Sequence, residues 1–266
     1  MRQTANSLEI RKITLDQSYR THVWHIGSAL SIADILDALY SSILEIVSPY
    51  DSDRDPFILS KGHAALALRA SLQRRGWASA EELDTFCSDA TYLGVHPEHR
   101  VRGIDFSTGS LGQGLSYGVG AALAARTRKS SRRVFVLISD GECNEGTIWV
   151  AIMFAAHHQL ANLIALVDLN GQQALGYTQD VLNLSPLADR WRAFGWDVHD
   201  VDGHDAAELA MAIADLDPTS GPPHVLIAHT TFGKGVSCME NQVEWHYWSP
   251  SAAEYQQALL EIDAAL

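Results

Sequence analysis

The chain has 266 residues, 47% of them hydrophobic, and a net charge of −13. That length holds one large α/β domain or at most two small ones, and the negative charge argues against nucleic acid and anionic membrane as partners. Three cysteines (Cys87, Cys143, Cys238), odd in number and without metal-ligand spacing, argue against a disulfide framework. The N-terminus, Met-Arg-Gln-Thr-Ala-Asn, has no apolar signal core, and nowhere do eighteen apolar residues run uninterrupted. A soluble, cytoplasmic protein is the expectation.

Thr4 to Tyr19 reads as a helix of imperfect periodicity, with Glu9, Arg11, Lys12 and Asp16 set among Leu8, Ile10, Ile13 and Leu15. The loop from Thr21 to Ser28 carries Trp24 and His25 into a second helix, Ser31 to Ile46. The Ser31 hydroxyl would cap it, with Asp34 in the first turn. Phe57-Ile58-Leu59 is a short buried strand that runs into Ser60-Lys61-Gly62-His63 and an Ala/Leu helix to about Arg75. The positive end of that helix biases His63 toward the neutral form. Ala80 to Cys87 makes a short helix, and His96 lies in a loop, before a proline that disfavours helix. Thr108-Gly109-Ser110-Leu111-Gly112-Gln113-Gly114 precedes a small-residue helix to about Arg126. Its three glycines permit close backbone approach, either to a ligand or to another helix.

Val134 to Ile138 and Leu163 to Val167 are apolar runs without alternation, the pattern of strands buried on both faces of a parallel sheet. With the helix-like Thr147 to Leu160 between them they form a βαβ unit. Ser139-Asp140-Gly141-Glu142-Cys143-Asn144-Glu145-Gly146 follows the first run, and Asp168-Leu169-Asn170-Gly171 ends the second. Asp140 and Asn170 therefore emerge at the carboxyl ends of two parallel strands, where open α/β sheets bind ligands. A carboxylate and an amide oxygen there suit Mg²⁺ or Ca²⁺ completed by phosphate oxygens. Gly141 leaves room for a diphosphate, and the helix starting near Glu145 offers free N–H groups. An ordinary loop of turn residues explains the same stretch equally well.

Pro186 to Phe194 reads as a helix and Trp196 to Val201 as a strand. Asp205 caps a helix, with Glu208 in a capping-box relation. Val225 to Ala228 is a last buried strand, followed by the loop Thr230 to Gly235, the segment Trp245-His246-Tyr247-Trp248 and a closing helix from about Ala252 to Leu260. No repeat, linker or low-complexity tract divides residues 1–266, so a single domain is expected. Its fold class is α/β: a doubly wound, mostly parallel sheet with helices on both faces.

Taken together and in this order, these motifs resemble the transketolase family over nearly the whole chain. The resemblance is closest to the N-terminal, diphosphate-binding subunit of the split, two-chain transketolases. Asp140-Gly141 with Asn170 thirty residues on resembles the family's thiamine-diphosphate motif. Leu-Ser-Lys-Gly-His-Ala-Ala, Thr-Gly-Ser-Leu-Gly-Gln-Gly and Met-Glu-Asn-Gln-Val-Glu-Trp-His are similarly placed. The resemblance implies thiamine diphosphate as cofactor, with Mg²⁺ (or Ca²⁺) on Asp140, Asn170 and the backbone carbonyl of Gln172. It implies cofactor contacts at Ser28, Lys61, His63, Gly109, Ser110, Leu111 and Gly141, with Asn170 and His246 beside them. Glu145 matches an acidic position near the subunit interface. His25, His96 and His246 match histidines that face the reacting carbonyl and hydroxyl groups, and proton transfer near neutral pH suits imidazole. His157, His158, His199, His204, His224 and His229 match no motif and read as structural or solvated; His22 and His99 read as surface residues.

The implied reaction moves a two-carbon ketol unit from a ketose or ketose phosphate to an aldose acceptor. The cofactor supplies the carbanion that attacks the donor carbonyl. The family's pyrimidine-binding domain is not recognisable in this sequence. A C-terminal partner subunit carrying it is therefore expected, in a heterotetramer with two copies of each chain. Ser139, Trp24 and Phe232 depart from the family pattern. The two rings are expected near the site mouth, where they would favour a bulkier or less anionic substrate. The competing readings are acyl transfer from a 2-oxo acid such as pyruvate and a non-catalytic regulatory subunit. A dinucleotide-binding domain fares worst, because no G-x-G-x-x-G opens a helix after the first strand.

Overall fold

Strands that are apolar on both faces need cover on both, and the main sheet is covered on both. The computed structural model describes residues 4–266; Met1 to Gln3, the start of the segment read above for a signal core, lie outside the described residues. The strands are β1 (Phe57–Leu59), β2 (Val134–Ser139), β3 (Leu163–Leu169), the small hairpin β4 (Gln172–Gln173) and β5 (Gly176–Tyr177), then β6 (Asp197–Asp202) and β7 (His224–His229). The main sheet runs in the order β1-β2-β3-β7-β6, every pair parallel. All five carboxyl ends therefore lie along one edge.

The helices are α1 (Ala5–Thr21), α2 (Ile26–Ser31), α3 (Ala33–Ala38), α4 (Ala65–Arg74), α5 (Ala80–Asp84), α6 (Gly114–Thr127), α7 (Gly146–His157), α8 (Thr178–Leu182), α9 (Leu187–Ala193), α10 (Ala206–Ala214) and α11 (Ala252–Ala265). Alternation along the strands divides the core. Phe135, Leu137, Ile164, Leu166 and Leu226 meet α3, α4 and α10 on one face. Val134, Val136, Ile138, Ala165 and Val167 meet α6, α7 and α9 on the other. A third cluster joins α1, α2 and α11 through Leu8, Leu15, Ile26, Leu30, Phe232, Trp245 and Ile262. The expected α/β sheet with helices on both faces is the observed one. No helix among the described residues is long and apolar enough to cross a membrane.

Four local expectations need correction. The second helix begins at Ile26 rather than Ser31 and breaks into α2, α3 and a π turn, Leu39–Ile43. Ser31 does not cap it: its buried hydroxyl donates to the Ser28 carbonyl at 2.9 Å and to Asp168 at 2.8 Å. Asp205 caps α10 through the Ala207 and Glu208 amides, but Glu208 accepts from the Asp202 amide instead of closing a capping box. Phe232 is fully buried rather than at a mouth. Its ring packs over Gly27 and stacks on His246, centroids 4.3 Å apart.

Gly27 allows that stacking. A Cβ there would stand 2.2 Å from the Phe232 ring. Gly27→Ala is expected to destabilise the fold by about 1–3 kcal/mol, the range for overpacking, read as a lowered urea midpoint with native circular dichroism. Unchanged stability would show that Phe232 is free to move.

Candidate cofactor site

Groups from the carboxyl ends of β1, β3 and β7 and from the end of α2 converge on one carboxylate, Asp168, whose side chain has no solvent exposure. A carboxylate out of water must be paired and hydrogen-bonded. Lys61, just beyond β1, forms a buried ion pair with Asp168 and also donates to the Ser28 carbonyl at 3.2 Å. Asn170 donates its amide N–H at 2.8 Å, Ser31 donates its hydroxyl, and Thr230 beyond β7 donates to the other carboxylate oxygen. One side chain thus fixes the mutual position of four loops.

In front of this hub lies a cavity of about 320 Å³. His25, Ser28, His63, His96, Gly109, Leu111, Gly141, Glu145, Asn170, Gln172 and His246 line it, with Ser139, Asn144, Gln173 and Ala174. His25 and His63 have ring centroids 5.0 Å apart, and His25 and His246 6.1 Å apart. His25 sits in the left-handed region (φ 65°) as the residue before α2, a conformation uncommon outside glycine and costly unless the surroundings impose it. His63 Nε2 lies 2.9 Å from Ser28 Oγ. His246 donates its Nδ1–H to the Val243 carbonyl at 3.1 Å, which leaves its Nε2 lone pair free. The glycine-rich loop serves both readings of it. Gly109 and Leu111 line the cavity, while the Gly112 amide donates to Glu142 at 2.7 Å and a Cβ on Gly114 would collide with Ser60.

The electrostatics favour neutral imidazoles. Burial, with His96 and Lys61 nearby, lowers the His25 pKa; burial and Lys61 push His63 well down. Burial pulls His246 down to about 4, and burial and Arg69 lower His96. Asp140 behaves oppositely. Burial and the Asp168 carboxylate raise it to about 7. Its oxygens accept from the Gly141 and Gly171 amides at 2.9 Å and from the Thr178 hydroxyl, yet no cationic side chain reaches it among the described residues. A buried carboxylate in that state is stabilised by a metal ion.

The residues present fit a metal-bridged diphosphate. Asp140 offers carboxylate oxygens, the Asn170 amide oxygen accepts, among the described residues, only from the Gln172 amide, and hard oxygens of this kind suit Mg²⁺ or Ca²⁺. Buried polar atoms lining the cavity lack partners: His25 Nδ1, both amide atoms of Gln172 and Gln173 Nε2. Such atoms normally find hydrogen bonds, and a polar ligand would supply them. A Cβ on Gly141 would meet Gln173 at 2.9 Å, so this glycine lets the hairpin close down.

Of the sequence-predicted residues, Lys61 and Ser110 are not among those lining the cavity. Lys61 is buried behind its wall on Asp168, which needs its charge, and Ser110 is exposed. Asp140 is likewise absent from the lining: it is buried between the lining residues Ser139 and Gly141, its carboxylate held by the Gly141 and Gly171 amides and the Thr178 hydroxyl. Two residues were missed. Asp168 ends a strand buried on both faces, where a charge demands a partner. Glu142 accepts from Ser60, Gly112 and Ser139, pinning the two loops on either side of the cavity.

Lys61→Met is expected to cost about 3–5 kcal/mol, the range for leaving a buried charge unpaired, and Lys61→Met/Asp168→Leu to recover part of it. Urea unfolding of both checks this; additive losses would dismiss the pair. In the metal-free chain His246 and Asp140 act oppositely. The unfolded chain protonates His246 first as pH falls, so stability is lost between pH 6.5 and about 4. Asp140 holds its proton longer in the folded state, so it contributes stability below about pH 4 that is lost as pH rises through about 7. Between pH 4 and 6.5, His246→Gln should therefore flatten the rise of stability with pH and Asp140→Asn should steepen it, in urea unfolding across that range.

The family described as "Transketolase, thiamine diphosphate binding domain" matches residues 2–259. Among known proteins, the chain is 41% identical to one subunit of the apulose-4-phosphate transketolase of Phocaeicola vulgatus, over 95% of this chain and 90% of that one. It is 40% identical to the 6-deoxy-6-sulfo-D-fructose transketolase subunit SqwG of Clostridium sp. (strain MSTE9), over 96% and 94%. Among solved structures, the transketolase of Campylobacter jejuni superposes with a TM-score of 0.90 at 28% identity, over 97% of this chain and 42% of that one. The chain thus spans less than half the length of that solved transketolase, and nearly all of the two subunits. The chain belongs to the transketolase family, as its thiamine diphosphate-binding domain.

Proposed function

We propose that this chain is the diphosphate-binding subunit of a two-chain transketolase, moving a two-carbon ketol unit from a ketose donor to an aldose acceptor. The observation that carries the reading is the cavity itself. Three histidines held neutral stand beside a buried carboxylate that lacks a cation, at the carboxyl edge of a parallel sheet. Residues 1–266 act as a single domain.

Asp140, Asn170 and the Gln172 backbone carbonyl would hold Mg²⁺ (or Ca²⁺), whose charge would neutralise a diphosphate. Ser28, His63, Gly109, Leu111 and Gly141 form the walls around the cofactor. Thiamine diphosphate, when bound, supplies the nucleophilic carbon for cleaving and forming the carbon–carbon bond. His25 and His246, each with a free ring nitrogen, take and return protons at the donor and acceptor oxygens; His96 does the same from the opposite wall. A neutral imidazole is able to accept a proton at those oxygens and return it.

The cavity lining holds no lysine or arginine. An anionic end on the sugar therefore needs cations from elsewhere, and a partner subunit carrying the pyrimidine-binding domain would bring them. Two features support such assembly: Glu145 is exposed beside the cavity, and Val150, Met153 and Phe154 form an exposed apolar stripe on α7. A heterotetramer with two copies of each chain is the arrangement we favour, in the cytoplasm. The two relatives named above act, by their names, on a sugar phosphate and a sulfo sugar. The donor we assign here is a ketose of the same kind, with an anionic group remote from the carbonyl.

The test is co-purification with the product of the neighbouring gene, then a donor and acceptor screen with thiamine diphosphate and Mg²⁺. Ketol transfer is expected from the pair and not from the single chain. His25→Ala and His246→Ala should each lower kcat by about 10²–10⁴-fold. Release of CO₂ from pyruvate by the pair, or turnover by the single chain, would overturn the reading.

A further inference from the structure

The opposite edge of the sheet carries a second cluster of ligand atoms. Asp197 and His224 open β6 and β7 and are register partners across the parallel pair. His199, two residues after Asp197, projects from the same face because strand side chains alternate. Both rings meet one carboxylate oxygen: His199 Nε2 and His224 Nδ1 each lie 3.0 Å from Asp197 Oδ2. The three ligand atoms lie within 4.8 Å of one another. The cofactor loops leave the other ends of these strands, roughly 17 Å away at ~3.3 Å per residue.

His224 is the informative member. It is buried, and its second nitrogen lies 3.0 Å from the Asp217 carbonyl, just past α10. Both ring nitrogens therefore face acceptors. A neutral imidazole donates one N–H only; the carbonyl can take it, and a lone pair then faces the carboxylate. A cation shared between that lone pair and Asp197 removes the conflict. The arrangement is also that of a metal-bound histidine, whose other N–H donates to a backbone carbonyl. Donors bound to zinc at about 2.0–2.1 Å stand roughly 3.3 Å apart in a tetrahedron, close to the 3.0 Å between each ring nitrogen and Asp197 Oδ2. His199 and Asp197 are partly exposed, with side chains 33% and 44% accessible, so an ion can enter and a water can complete its shell.

We infer that Asp197, His199 and His224 form a binding site for one divalent cation of the zinc type, separate from the cofactor metal. Two imidazoles and one carboxylate select zinc, cobalt or nickel over magnesium, which takes oxygen ligands. A bound ion would clamp the edge strand β6 to β7 and, through His224, to the chain leaving α10.

Co²⁺ and Zn²⁺ are the probes, titrated into the full chain with Mg²⁺ in excess so that the oxygen site is occupied. One Co²⁺ per chain should bind with the visible absorption of a low-coordinate nitrogen and oxygen shell, and Zn²⁺ should displace it. His199→Ala, at a partly exposed ring whose only side-chain partner is Asp197, should keep the fold and weaken Co²⁺ binding by about 100-fold or more, since loss of even an outer-shell partner costs 10–100-fold. Zn²⁺ should raise the melting temperature of the natural chain and leave that of His199→Ala unchanged. His224→Ala should likewise abolish the absorption. Equal Co²⁺ affinity in the natural chain and His199→Ala, or no one-to-one binding at micromolar metal, would overturn the assignment.

Discussion

A carboxylate with no access to water needs a charge and a hydrogen bond for each oxygen, and Asp168 draws these from four different loops. Lys61 comes from the end of β1, Asn170 from the end of β3, Ser31 from the end of α2 and Thr230 from the end of β7. None of these groups can move alone without stranding a buried charge, which costs several kcal/mol. The loops that carry His25, His63 and Asn170 are thereby held in one geometry before any ligand arrives. Asn170 is oriented from behind: its N–H is committed to Asp168, which turns its oxygen toward the Gln172 amide.

The same economy of charge leaves the front of the site electrically unfinished. The one lysine near the hub is committed to Asp168, and Asp140 stands without a cation. Four histidines are held neutral by burial and by one another's proximity. Burial works against charge on any of these imidazoles, and a nearby cation would favour the ionised form of Asp140. A divalent ion held by Asp140 would supply that cation.

Much of this was legible in the residues. Four apolar runs and the glycines between them point to a parallel sheet, because strands covered on both faces lose their alternation. Asp140 and Asn170 could be placed at its carboxyl edge because each directly follows such a run. Long-range packing was not legible. Ser31 looks like a helix cap in sequence, but Asp168, 137 residues away, claims its hydroxyl. Phe232 looks like a substitution at a mouth, but Gly27 opens a slot that buries it against His246. Lys61 looks like a ligand for phosphate, but a buried aspartate two strands over needs its charge more. His199 and His224 match no motif, and only the β6–β7 register brings them to one oxygen.

The central claim is that Asp140 awaits a cation and ionises when the metal-bound diphosphate enters. Calorimetric titration of thiamine diphosphate with Mg²⁺ into the single chain at pH 6.5, in two buffers of different ionisation enthalpy, measures the protons exchanged. The account predicts that the natural chain releases more protons than Asp140→Asn, because a carboxyl raised to about 7 in the metal-free state must give up its proton. Identical proton exchange in the two proteins, with binding intact in both, would contradict it.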